Sequence, residues 1–105
     1  MTEYTGETLT DALEAAGLSD WHSADDTIVA TYATGDFATG LEFVNRVGAA
    51  AEAANHHPDI TLTYPSVEIT LTSHDTGAAT DRDLKLAARI SNFAAEAGIT
   101  ADQPQ

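Results

Sequence analysis

Apolar residues along this chain repeat at two spacings, and each change of spacing marks a change of element. Leu9, Ala12, Leu13 and Ala16 recur at helical intervals behind Thr8, with Asp11 three residues on as a short capping-box partner and Gly17 closing the run. This predicts a first helix from about Leu9 to Ala16. Between Trp21 and Thr34 the period falls to two: Ile28, Ala30 and Tyr32 alternate with Val29, Thr31 and Ala33, around a turn-like Ala24, Asp25 and Asp26. Two short strands are expected there. "TGDF" then opens a long helix with an apolar stripe of Phe37, Leu41, Val44, Gly48 and Ala51, and Glu42 stands four residues before Arg46 in the favourable ion-pair order. Gly40 and Gly48 lower its helix propensity, so close packing is expected at both.

The period returns to two in "DITLTYPSVEITLTSH". Ile60, Leu62 and Tyr64 alternate with threonines, Val67, Ile69 and Leu71 alternate with Glu68, Thr70 and Thr72, and Pro65 with Ser66 supplies a turn, so the segment reads as a hairpin. After "DTGAAT", Leu84, Ala87, Ala88, Ser91 and Ala95, with Ile90 and Phe93, describe a last helix, followed by a polar tail from Ala101. The order α-β-β-α-β-β-α is that of an α+β fold, a four-stranded antiparallel sheet with three helices packed on one face. Residues 1–105 form a single domain with a core over about 9–97 and a polar tail over about 101–105. There is no internal repeat.

Composition narrows the function classes. Four Lys plus Arg against seventeen Asp plus Glu give a formal charge of -13, which repels a phosphate backbone and argues against nucleic-acid partners and polyphosphate substrates. Such a surface suits concentrated salt, where counterions screen self-repulsion, and equally an ordinary acidic protein. No apolar run is long enough to span a bilayer, so no membrane partner is expected. "MTEYTGETLTD" lacks the basic start and apolar stretch of an export signal, and with no cysteine there is neither a disulfide nor a thiolate metal site. The expected location is cytoplasmic.

The candidate chemistry gathers at "NHHPDI", where two of the four histidines precede a proline. Pairing Tyr64 with Val67, Leu62 with Ile69 and Ile60 with Leu71 sets apolar opposite apolar across the hairpin. Continued outward, that ladder sets His57 opposite His74, with Cβ atoms roughly 5 Å apart. Pro58 pushes His57 out of the helical region, so the long helix ends near Asn55 or His56, and Glu52 lies one turn before His56 on the same face. A solvated pair of histidines explains an isolated "HH" but not a convergence of three. A metal site would draw on the same imidazoles, yet the spacing matches no standard helix motif, and neighbouring histidines rarely point at one ion. Ser73 beside His74 lacks the elbow that exposes a catalytic serine. Acid–base catalysis remains, because crowded imidazoles separate into a proton donor and a proton acceptor near neutral pH.

With these residues in place the chain resembles the pterin-4a-carbinolamine dehydratases. The family pattern is a charged residue four positions before the first histidine of His-His-Pro, an aromatic after a short strand, a histidine further on, and an aspartate at the start of the last helix. Glu52, His56, His57, Pro58, Tyr64, His74 and Asp83 meet it. Trp21, "DFATGLEFVNRVGAAAE", "VEITLTSHD" and "TDRDLKLAARI" extend the likeness over about Leu9 to Phe93. Departures are Ile60 in place of an aromatic stacking wall, Ala78 and Ala79 in place of a Gly-Leu pair, and Asn55 in place of an acidic residue.

The resemblance implies dehydration of 4a-hydroxytetrahydropterin to quinonoid dihydropterin, with no metal and no cofactor, in a homodimer or homotetramer. It implies His56, His57 and His74 as catalytic histidines, and Pro58, Ser73, Asp75, Thr76, Glu52, Arg82 and Asp83 around the substrate. Read by spacing alone, Asp83 belongs to a capping box begun by Thr80. Trp21 and Tyr64 read as core and hairpin packing, and His22 as exposed. The same fold also serves non-catalytic dimerisation or assembly partners, the rival function.

Overall fold

The computed structural model describes residues 2–73 and 75–102. Its elements are β1 (Glu3–Tyr4), α1 (Gly6–Ala15), β2 (His22–Ala24), β3 (Thr27–Ala33), α2 (Phe37–Ala54), β4 (Asp59–Leu62), β5 (Ser66–Leu71), β6 (Ala79–Thr80), α3 (Asp81–Ala97) and β7 (Thr100–Asp102). The fold is α+β with three helices and antiparallel pairing, as the periods predict. The sheet is larger than the expected four strands. Its order is β2-β3-β5-β4, β7 also pairs with β3, and β1 and β6 form a separate two-stranded ladder. The predicted tail beyond Ala101 is therefore a strand as far as Asp102, because β2 covers only the first part of β3 and leaves Thr31, Tyr32 and Ala33 free to pair with residues 100–102.

One face of the sheet is buried. Ile28, Ala30, Tyr32, Val67, Ile69 and Leu71 are each fully buried and share one core cluster with Leu9 and Leu13 of α1, Phe43 and Val47 of α2, and Leu86 and Ile90 of α3. Trp21 is in this core, and its indole Nε1–H donates to Ser91 Oγ at 3.0 Å. Tyr64 is not; it is 67% exposed.

The helix α2 starts where "TGDF" predicts. Asp36 is its N-cap and accepts from Thr39 N at 2.8 Å. Its inward stripe differs from the expected one: Gly40, Phe43, Val47, Ala50 and Ala51 are buried, whereas Phe37 and Leu41 stand about half exposed. Both stripes are helical in period, and only contact with the sheet selects between them. Close packing is real at Gly40, where an added Cβ would meet Leu62 Cδ1 at 2.8 Å, and absent at Gly48, where nothing lies within 4 Å. Arg46 pairs with Glu96 of α3 at 2.7 Å instead of Glu42, and stacks over the Phe93 ring at 4.3 Å from its centroid. The first helix begins earlier than predicted, since Thr8 accepts from Thr5 N at 2.9 Å and so sits inside the first turn.

The hairpin forms, but two residues out of the predicted register. Leu62 pairs with Val67, Ile60 with Ile69 and Asp59 with Thr70. Tyr64 and Pro65 make the loop, closed by Thr63 N donating to Ser66 O at 3.0 Å and held by Thr34 N and Gly35 N donating to Pro65 O. A shift of two keeps every side chain on its face and still sets apolar opposite apolar, so the pattern cannot distinguish the two registers. The ladder ends at Asp59; continued, it would set His57 opposite Thr72, not His74.

Candidate active site

Each helix ends in the same backbone device. At the end of α2, Asn55 takes the left-handed conformation (φ 51), Asn55 N donates to Glu52 O at 3.2 Å and His56 N donates back to Ala51 O at 3.1 Å. This is the Schellman arrangement, which directs the residue after the left-handed one toward the helix and its core. Leu18 after α1 and Ile99 after α3 hold the equivalent position through bonds to Leu13 O and Ala94 O, and both are buried aliphatics. In α2 the place falls to His56, which is 7% exposed. A buried imidazole needs a partner.

Asp83 supplies it. His56 Nε2 and Asp83 Oδ1 are 2.5 Å apart, although 27 positions separate the residues. The aspartate side chain is wholly buried, and its second oxygen is occupied as well: Oδ2 accepts from Thr80 N and from Ser73 Oγ, both at 2.8 Å. Asp83 is thus the capping-box residue of α3 and the imidazole's partner at once. An ionised carboxylate only accepts, which assigns the ring proton facing it to Nε2 and leaves Nδ1 as the nitrogen that can accept or pass a proton. Ser73 continues the inward parity of Val67, Ile69 and Leu71, and its hydroxyl links Asp83 to Thr80 Oγ1 at 2.8 Å. Being 1% exposed, it supports the pair and does not face solvent.

An outer layer surrounds this pair. Glu52 bonds His57 Nε2, not His56, because the left-handed Asn55 breaks the helical phase between Glu52 and the histidines. His57 and Glu52 are both exposed, and Pro58 leads from them into β4. On the other side Arg82 Nη2 donates to Asp75 Oδ1 at 2.6 Å, and this guanidinium holds the Asp75 carboxyl below the ordinary carboxylate range. Thr76 Oγ1 lies 3.1 Å from both Ser73 O and Ala78 O and ties the loop closed where Ser73 bridges Ala78. His74 belongs to this loop in sequence but lies outside the described residues. A hollow of about 290 Å³ opens beside His56, lined also by Ala54, Arg82, Lys85, Leu86 and Arg89.

The predicted residues therefore fall into three groups, His56 with Ser73 and Asp83 inside, and Glu52 with His57 and Arg82 with Asp75 outside. Thr80, Lys85 and Arg89 were not anticipated. Thr80 was legible as a cap but not as a site residue; the two cations carry the signal of helical spacing from Arg82. His22 is part-buried, not exposed, and lies apart from this site. Among the described residues no group of three His, Asp or Glu side chains is disposed to hold a metal ion, and no helix is long and apolar enough to cross a membrane.

Residues 2–93 match the family described as pterin 4 alpha carbinolamine dehydratase. The chain belongs to that family. A Koribacter versatilis protein provisionally named a pterin-4-alpha-carbinolamine dehydratase is 46% identical over 83% of this chain and 96% of its own length. A Thermomicrobium roseum protein of the same name is 43% identical over 70% of this chain and 80% of its own. Among solved structures, the transcriptional coactivator/pterin dehydratase from Brucella melitensis superposes with a TM-score of 0.80 at 28% identity, covering 89% of this chain and 99% of that one. A pterin dehydratase-like protein identified as a RuBisCO assembly factor in the alpha-carboxysome shares the fold with a TM-score of 0.61, over 71% of this chain and 89% of that one; at 23% identity the likeness is one of fold alone. In this member of the pterin 4 alpha carbinolamine dehydratase family, the buried His56–Asp83 pair joins the end of α2 to the start of α3.

Proposed function

We propose that the protein dehydrates a 4a-hydroxytetrahydropterin to the quinonoid dihydropterin by histidine acid–base catalysis. The reaction breaks the C4a–O bond, forms the C4a–N5 double bond and releases water. One group must protonate the departing hydroxyl, and another must take the proton from N5. Each positioned acid or base contributes about 10²- to 10⁴-fold in rate. The observation that carries the reading is the His56–Asp83 pair. A buried carboxylate fixes the ring's orientation and leaves one nitrogen for proton transfer, the role a carboxylate plays behind a catalytic imidazole elsewhere.

In this reading His56, His57 and His74 handle the two protons. Asp83, Ser73 and Thr80 position His56, and Glu52 positions His57. Pro58, Asp75, Thr76 and Arg82 shape the substrate's surroundings. No step calls for a metal or a resident cofactor.

The test is a stopped-flow measurement of 4a-hydroxytetrahydropterin loss in chelator-treated buffer. Acceleration above the spontaneous rate is expected, with most of it lost in His74→Ala and in His56→Ala. Full activity in His74→Ala would refute the assignment of three catalytic histidines. A chain without turnover that forms a stable complex with another protein would instead fit the non-catalytic use of the fold.

A further inference from the structure

The charge distribution around the hollow runs against that of the whole chain. The sequence carries only four Lys and Arg, and three of them, Arg82, Lys85 and Arg89, line this one cavity beside His56. Spaced three and four apart, they share one face of α3. Three carboxylates border the residues of the hollow and each already has partners, Asp83 bonding His56 itself. Asp75 bonds Arg82 Nη2, and Asp81 accepts from Tyr4 Oη at 2.7 Å and from Thr2 N at 3.3 Å. Among the described residues no carboxylate lines the hollow. The Nε–H of Arg82 is buried and finds no acceptor among the described residues, so the guanidinium can offer the hollow only its terminal nitrogens. The fourth cation, Arg46, pairs with Glu96 away from this face.

A surface of net charge -13 repels anions in general, so a cluster in which Arg82 is paired with Asp75 while Lys85 and Arg89 have no ion-pair partner among the described residues, above a low-polarity floor of Ala54 and Leu86, concentrates what attraction there is at one point. We propose that this hollow binds the anionic substituent, a phosphate monoester or a carboxylate, of the pterin on which the enzyme acts. The inference deepens the dehydratase reading and rests on it: the pterin ring reaches His56, and the anion carried by its side chain lies along α3.

Fluorescence titration with 6-hydroxymethylpterin, its phosphate monoester and pterin-6-carboxylate tests this, with inorganic phosphate as a competitor. At low salt the anionic pterin of the correct kind should bind about tenfold to a hundredfold more tightly than the neutral one, the range of one or two charge-assisted hydrogen bonds. That ratio should shrink as salt is raised. Lys85 and Arg89 are exposed, so the double variant Lys85→Gln, Arg89→Gln should fold, and in it the ratio should fall to near one. Arg46→Gln, which removes a positive charge elsewhere, should keep it. The phosphate and the carboxylate arms tell the two substituents apart.

Equal affinity for anionic and neutral pterins would overturn the inference. So would a preference that survives in the double variant, or inorganic phosphate binding as tightly as the pterin phosphate. Turnover of a neutral pterin with no anion preference removes this inference and leaves the dehydratase reading. An anion preference lost in the double variant, without any turnover, supports the anion site and removes the catalytic reading.

Discussion

Replacing Asp83 by asparagine preserves shape and turns one carboxylate oxygen into an NH₂ group. Oδ2 faces two donors, Thr80 N and Ser73 Oγ, each at 2.8 Å, so the amide oxygen must stay there and the NH₂ must face His56 Nε2. A ring nitrogen that meets a donor has to accept. The His56 proton is therefore driven from Nε2 to Nδ1, and the nitrogen proposed to take part in proton transfer is reversed in role. The capping half of the interaction survives, and losing the charge also removes the cost of burying it. Stability should fall by no more than about 2 kcal/mol, a drop in melting temperature of roughly 4–8 °C per kcal/mol in a domain of this size. The dehydration rate should fall about 10²- to 10⁴-fold. Asp83→Ala differs in kind, because it strands three donors at once and should cost about 3–5 kcal/mol. Thermal melts, stopped-flow rates and ¹⁵N spectra of the imidazoles separate these effects. An Asp83→Asn protein that keeps its His56 proton on Nε2, or turns over at the wild-type rate, would show that Asp83 serves only as the cap of α3.

Other outcomes follow from the same contacts. Glu52→Gln weakens the hold on His57 at an exposed position, so stability should stay within about 0.5 kcal/mol while the dehydration rate falls; an unchanged rate would reduce the Glu52–His57 contact to solvated surface. Burial, the larger cause, and the bond to Asp20 hold the Tyr32 phenol above its ordinary value of 10.0. The folded state then keeps a proton that the unfolded chain releases, so this stability is complete below about pH 10 and declines as pH rises above it. Tyr32→Phe should flatten that alkaline limb in urea titrations across pH, and a limb identical to wild type would reassign it to other groups. Raising potassium chloride from low to molar concentration should raise the melting temperature, because a net charge of -13 repels itself until screened; a falling melting temperature would mean that specific ion pairs outweigh the net repulsion.

Much of the fold was legible because local rules are redundant. The period of the apolar residues names each helix and strand, Asp36 and Thr80 mark helix starts, and Asn55 before His-His-Pro marks a helix end. The inward stripe of α2 was misread because Phe37, Leu41 and Val44 are as regular as Gly40, Phe43 and Val47, and half-exposed apolar residues are common on protein surfaces. The hairpin register was uncertain by two for the reason that makes strands readable at all: a two-residue slip repeats the pattern.

The candidate site was half legible. Residue types and their spacing named Glu52, His56 and His57, the family likeness added Asp83, and the capping box alone predicts one oxygen of Asp83. The other oxygen meets His56 only because α3 packs beside the end of α2, a contact across 27 positions that no local pattern encodes. Likewise, the amino-acid count settled that this chain is strongly acidic, but not that three of its few cations would share one hollow. Composition and periodicity are properties of the chain read in order. Which side chains meet depends on how the elements dock, and docking is decided by the summed packing of the core.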